Sequence, residues 1–157
     1  MKKGQKISAT RSTLTNLMGP LEANHYGYVH GGVIMRAVDE AAFISATRHA
    51  KRNVVTAAID YMSFENPVHL GDLLILKSQV NYAGRTSMEI GVRIESEDPL
   101  RGDKRVVGKA YLTMVALDDL GKPTKIPRLI LETAEDRARA KRAEQRRAFR
   151  LKLREKI

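Results

Sequence analysis

The chain of 157 residues contains no cysteine. That removes disulfides, thiol nucleophiles and cysteine-ligated metal sites, and it suits a cytoplasmic protein. No apolar run approaches the length needed to span a bilayer. The basic start (Met1, Lys2, Lys3, Lys6) leads into no apolar stretch of signal-peptide length, so no membrane insertion is expected. A Gly-x-Ser-x-Gly elbow is missing, which speaks against a serine hydrolase. Internal repeats are also missing from the body of the chain. Acids are scarce in one place: from Arg137 to Ile157 there are ten Lys or Arg against two Glu, a net +8 out of the formal +10, leaving +2 for residues 1–136. The basic character belongs to a tail.

What is present centres on Asn24 to Thr47. A polar, glycine-punctuated loop (Asn24, His25, Gly27, His30) passes through Gly31-Gly32 into a helix of about fifteen residues, apolar on nearly every face. A helix of that kind in a globular protein is a buried one. Arg36 and Glu40 stand i,i+4 and can pair. Asp39 has Met35 and Phe43 one turn to either side, a costly place for a carboxylate unless something uses or satisfies it. Two glycines at a helix start expose amides that favour a developing oxyanion, although the same pair also reads as an ordinary tight turn.

Strands are expected at Ile7 to Leu17, Val54 to Phe64, Leu73 to Tyr82, Ser87 to Glu97 and Arg105 to Leu117, separated by Gly/Pro/Asp turns. In the second, Val54, Thr56, Ala58 and Asp60 alternate with Val55, Ala57, Ile59 and Tyr61. The last is apolar on both faces, which predicts an interior position. The order is β, buried α, then four strands: an α+β fold with a long antiparallel sheet curled around one helix, the helix's other side open to a second copy. Residues 1–131 form this domain. Residues 132–157 form a basic helical extension, opened by a Thr133/Asp136 capping box and carrying a thin apolar stripe (Ala134, Ala138, Phe149, Leu151, Leu153), so partial docking is expected.

The segments Asn24-His25-Tyr26-Gly27, His30-Gly31-Gly32, Val38-Asp39-Glu40-Ala41-Ala42 and Gly84-Arg85-Thr86-Ser87-Met88-Glu89 resemble the hotdog-fold acyl-CoA thioesterases, in particular the cytosolic, brain-type hydrolases and their bacterial relatives. The likeness covers roughly residues 10–130. It implies hydrolysis of an acyl-CoA ester, with CoA present only as part of substrate and product, and neither cofactor nor metal. By position, Asp39 is similar to the family's catalytic carboxylate and Asn24 to its catalytic Asn. Gly32, with Gly31, would polarise the carbonyl. His30, Thr56, Arg85, Thr86 and Ser87 would contact substrate or CoA. His30 departs from the aromatic residue common in the brain-type branch. The family also implies a dimer and commonly a hexamer.

Geometry adds a constraint. Seven residues separate Gly32 from Asp39, about 10.5 Å of helix, of which the backward lean of the side chain recovers only about 2–3 Å. One chain cannot bring both to one carbonyl carbon, so a site composed across a two-fold axis is expected. Competing readings are an acyl-CoA hydratase using His25 or His30, a zinc site at those histidines, and non-catalytic binding of acyl-CoA or nucleic acid through the tail. Nucleic acid is not the expected partner. His49 and His69 read as surface or capping histidines.

Overall fold

In the computed structural model, which describes residues 3–157 (Met1 and Lys2 of the basic start lie outside them), eleven segments alternate. They are β1 (Gln5–Lys6), a 3-10 turn (Ile7–Thr10), β2 (Ser12–Leu17), a second 3-10 turn (Pro20–Glu22), α1 (Gly31–Ala50), β3 (Asn53–Met62), β4 (Leu73–Ala83), β5 (Ser87–Asp98), β6 (Asp103–Leu117), β7 (Leu129–Ile130) and α2 (Ala134–Arg154). The main sheet has the order β2-β4-β5-β6-β3 and is antiparallel throughout. β1 and β7 form a short parallel pair. The sheet wraps α1 on one face and carries α2 on the other, the hotdog arrangement that the sequence suggests.

The core is made by α1 and the inner face of the sheet. Ala41, Ala42 and Ala46 are fully buried, and such small side chains let the helix lie close on Ile90, Leu112 and Met114. Val38, fully buried among them, contributes about 2 kcal/mol by burial. The one polar seam is closed: Ser45 and Ser78 share a 2.7 Å hydrogen bond, and Ser78 Oγ also donates to the Ala41 carbonyl. At Gly108 an added Cβ would lie 1.9 Å from the Ser63 carbonyl oxygen, so only glycine lets residues 63–65 run alongside β6.

Two expectations change and two are met. The expected first strand starts at Ser12, not Ile7, because the Thr10 hydroxyl donates to the Ile7 carbonyl and accepts the Val80 amide, fixing a 3-10 turn instead of a ladder. As expected, the chain covers α1 on one side only: Met35 and Phe43 are 43% and 46% exposed, on the side away from the sheet. β6 is interior, as expected, beside the middle strand β5.

The second change concerns β3. Its alternation is broken by two bulges, one between Thr56 and Ala58 and one between Ile59 and Tyr61. The residues left without a partner on β6 are Ala57 and Asp60; only Ala57 lies between Thr56 and Asp60, so these two turn to opposite faces despite their even spacing.

α2 is a continuous 21-residue helix, opened by the Thr133/Asp136 capping box. Its expected apolar stripe is not what docks it: Phe149, Leu151 and Leu153 are exposed, while Ala140, Ala143 and Asp136 are buried. Farther along, charge replaces apolar contact. Arg146 binds Glu89 through both ends of its guanidinium (2.7 and 3.0 Å) and stacks over Tyr111, while Arg150 pairs with Asp60 at 3.0 Å.

Candidate active site

The loop before α1 is organised by Asn24. Its Oδ1 accepts the amides of Tyr26 (2.9 Å) and Tyr28 (3.1 Å), and its own amide donates to the Tyr28 carbonyl. This closed turn leaves the Nδ2 amide hydrogens as the polar group that Asn24 can offer a ligand. Gly27 completes it with φ +82°, the left-handed region that glycine enters without strain.

His30 is the N-cap of α1, and its Nδ1 accepts the Gly32 amide at 3.0 Å. In the single chain the Gly32 N–H is thus taken up by the neighbouring imidazole. His30 is thereby a helix cap in the single chain. Gly31, the first residue of α1, has the Phe64 ring 3.9 Å from where its Cβ would be. The Val33 amide turns back to the His30 carbonyl.

Asp39 lies two turns further along α1, half-buried, and accepts the Thr56 hydroxyl on Oδ1 at 2.5 Å. Thr56 also approaches the Met114 sulfur at 3.2 Å. Thr56 is paired with Met114, whose side chain lies in the core beneath α1, so the hydroxyl faces the helix. The sequence marks Thr56 as a substrate contact. In the fold it is the partner of the acid, a link that spacing along the chain does not reveal because the two residues sit on different elements. Arg36 pairs with Glu40 at 2.9 Å, exposed and worth under about 1 kcal/mol, so it does not engage Asp39.

Arg85, Thr86 and Ser87 form the β4–β5 turn. The carbonyls of Arg85 and Thr86 accept the amides of Ile126 and Ala116, which leaves the Arg85 side chain exposed. Met88 stands opposite Met114, and Met114 opposite Thr56, so this turn lies two strands from Thr56, about 10 Å across the sheet. One chain therefore brings together Asp39, Thr56 and residues 85–87. It holds Asn24, His30, Gly31 and Gly32 apart, at the other end of the helix.

His25 lies against the Tyr26 ring, and among the described residues no group of three His, Cys, Asp or Glu is placed to hold a metal. His49, expected as a surface or capping histidine, is fully buried; its Nε2 donates to the Pro127 carbonyl at 2.9 Å, and burial holds its pKa below the ordinary value against that carbonyl's pull.

Residues 26–102 match the family model of the thioesterase superfamily. The chain is 38% identical over 122 residues to the acyl-CoA thioester hydrolase YkhA of Bacillus subtilis, covering 78% of this chain and 71% of that protein. The chain belongs to the thioesterase superfamily. An apo, hexameric acyl-CoA thioesterase superimposes on this thioesterase with a TM-score of 0.92 at 36% identity, covering 96% of both chains. The acyl-CoA hydrolase of Staphylococcus aureus, solved with butyryl-CoA, CoA and CoA disulfide, superimposes with a TM-score of 0.89 at 34% identity over 97% of this chain and 93% of that one. Structures of that enzyme with an Asn, an Asp or a Thr changed to Ala are also known. Those positions stand 15 and 17 residues apart, the separations of Asn24, Asp39 and Thr56 here. The chain spans 35% of the length of the rat cytosolic acyl coenzyme A thioester hydrolase, with which it is 36% identical over 136 residues.

Proposed function

We propose that this thioesterase hydrolyses acyl-CoA esters to the free acid and CoA, at sites each shared between two copies of the chain. The observation that carries the reading is the half-buried Asp39, hydrogen-bonded to Thr56 on a side of α1 that its own chain leaves uncovered. Met35 and Phe43, 43% and 46% exposed on the open side of α1, and the free edge of β3 offer a surface suited to a second copy. A two-fold axis there sets Asp39 of one copy beside the Asn24 loop of the other. The hexameric relative supports this assembly and its extension to three dimers.

In this reading Thr56 fixes Oδ1 of Asp39, and Oδ2 takes a proton from water as the water oxygen attacks the thioester carbon. Asn24 donates through Nδ2 to the carbonyl oxygen, since its Oδ1 is committed to the loop. The Gly31 amide at the positive end of α1 adds to this, and Gly32 joins only if His30 releases it. The tetrahedral intermediate collapses with cleavage of C–S, and the thiolate of CoA leaves and collects the proton. Direct attack by Asp39, giving a mixed anhydride that water then opens, uses the same groups. Arg85 offers an unpaired cation to CoA phosphate. No cofactor or metal is called for. A cytoplasmic setting follows the cytosolic rat relative. Among the described residues no helix is long and apolar enough to cross a membrane.

The hydratase reading is disfavoured because His30 is engaged in capping α1. Nucleic-acid binding is less favoured because four of the ten tail cations are engaged internally: Arg146 by Glu89, Arg150 by Asp60, and Arg139 and Arg142 by Glu135.

The test is a panel of acyl-CoA esters with free thiol detected, followed by mixing of Asn24→Ala and Asp39→Ala chains. Random pairing should restore about a quarter of wild-type activity, through the one intact site of each mixed dimer. No recovery after verified subunit exchange defeats the shared site.

A further inference from the structure

The Gly71-Asp72 turn before β4 has no part in the chemistry above, yet it is linked to the Asn24 loop through His69 and Tyr28. Asp72 is buried, 4% exposed. Its Oδ2 accepts the His69 amide at 3.0 Å and Nη2 of Arg105 at 3.1 Å. The same Arg105 nitrogen lies 3.1 Å from His69 Nδ1. A guanidinium can only donate, so Nδ1 presents its lone pair and the His69 proton sits on Nε2. The His69 ring packs against Tyr28, centroids 5.5 Å apart, and the two residues form an antiparallel bridge. Tyr28 in turn closes the turn around Asn24, donating its amide to Oδ1 and accepting the Asn24 amide on its carbonyl.

We infer that Asp72, Arg105 and His69 form a positioning relay that sets Asn24 for the substrate carbonyl: the buried carboxylate orients the guanidinium, this fixes the imidazole, and the imidazole clamps Tyr28. These are positioning residues. None of them needs to touch substrate. The inference rests on the role given to Asn24 in the proposed function, and the experiment keeps the two apart. It uses the full-length protein and two variants. His69→Phe keeps a ring against Tyr28 but removes the acceptor for Arg105. Arg105→Gln removes the fork and leaves Asp72 buried without its cation, so should that variant fail to fold, His69→Phe carries the test.

Two quantities are read: amide hydrogen exchange at Tyr26 and Tyr28, whose N–H groups report closure of the Asn24 turn, and turnover of an acyl-CoA ester. Exchange at those amides should rise about tenfold or more. kcat should fall about tenfold with KM within about twofold, as expected for a misplaced rather than missing group. In an Asn24→Ala background the same substitutions should change kcat no further. Unchanged exchange at both amides, or a full additive loss in the Asn24→Ala background, overturns the relay. Faster exchange with unaltered kcat leaves the relay standing and removes Asn24 from the chemistry.

Discussion

The two faces of the sheet are closed by opposite means. Toward α1 the contacts are small and apolar, with Ala41, Ala42 and Ala46 fully buried, and the cover stops short: the far side of the helix, with Met35, Asp39 and Phe43, faces outward. Toward α2 the buried apolar residues of the helix are just Ala140 and Ala143, and the helix is held by arginines reaching buried or nearly buried acids, Glu89 and Asp60. The first face is left unfinished where the proposed function seats a second chain and a substrate. The second is completed within the chain, and it absorbs part of the tail's charge. The difference predicts that changes on the first face strike activity and changes on the second strike stability.

The largest effect should come from the unfinished face. Asp39→Ala should lower turnover by about two orders of magnitude or more while the protein still folds and dimerises, read by thiol release and size-exclusion chromatography. Near-normal turnover would erase the contrast. On the completed face, Arg146→Met strands Glu89, which is 5% exposed. Because the Arg146 side chain is itself 26% exposed, we expect a loss of about 2 kcal/mol in urea unfolding, less than for a fully buried pair, with turnover per folded molecule kept.

Thr56→Val sharpens the comparison from inside the site. It should cut turnover about tenfold by loosening the carboxylate, with little change in melting temperature. The smallest effect belongs to His49. Its pKa is lowered in the folded state, so its contribution to stability is whole above 6.5 and is lost as pH falls below that, where the unfolded chain takes up a proton more readily than the folded one. His49→Gln should flatten the fall of the urea midpoint between about pH 7 and 5.

Much of this was legible in advance, and what was not has identifiable causes. The element order and the strands after α1 follow from apolar alternation and turn residues, and Asp39 stands out because it interrupts an apolar helix. The docking of α2 escaped because its contacts are made by arginines, whose partners Glu89 and Asp60 are 57 and 90 residues away in sequence. The Asp39–Thr56 bond escaped for the same reason, and the capture of the Gly32 amide escaped because imidazole is not among the usual N-cap acceptors.

The bulges of β3 have a consequence for how this chain tolerates change in length. Strict pleating would put Thr56 and Asp60 on one side; the extra residue between them, Ala57, leaves the first toward the acid of α1 and sends the second, itself unpaired at the other bulge, toward Arg150 of α2. Deleting Ala57 would move the strand back into phase and unplug one helix from its partner, so a single-codon loss in an exposed edge strand would be read at both surfaces of the molecule.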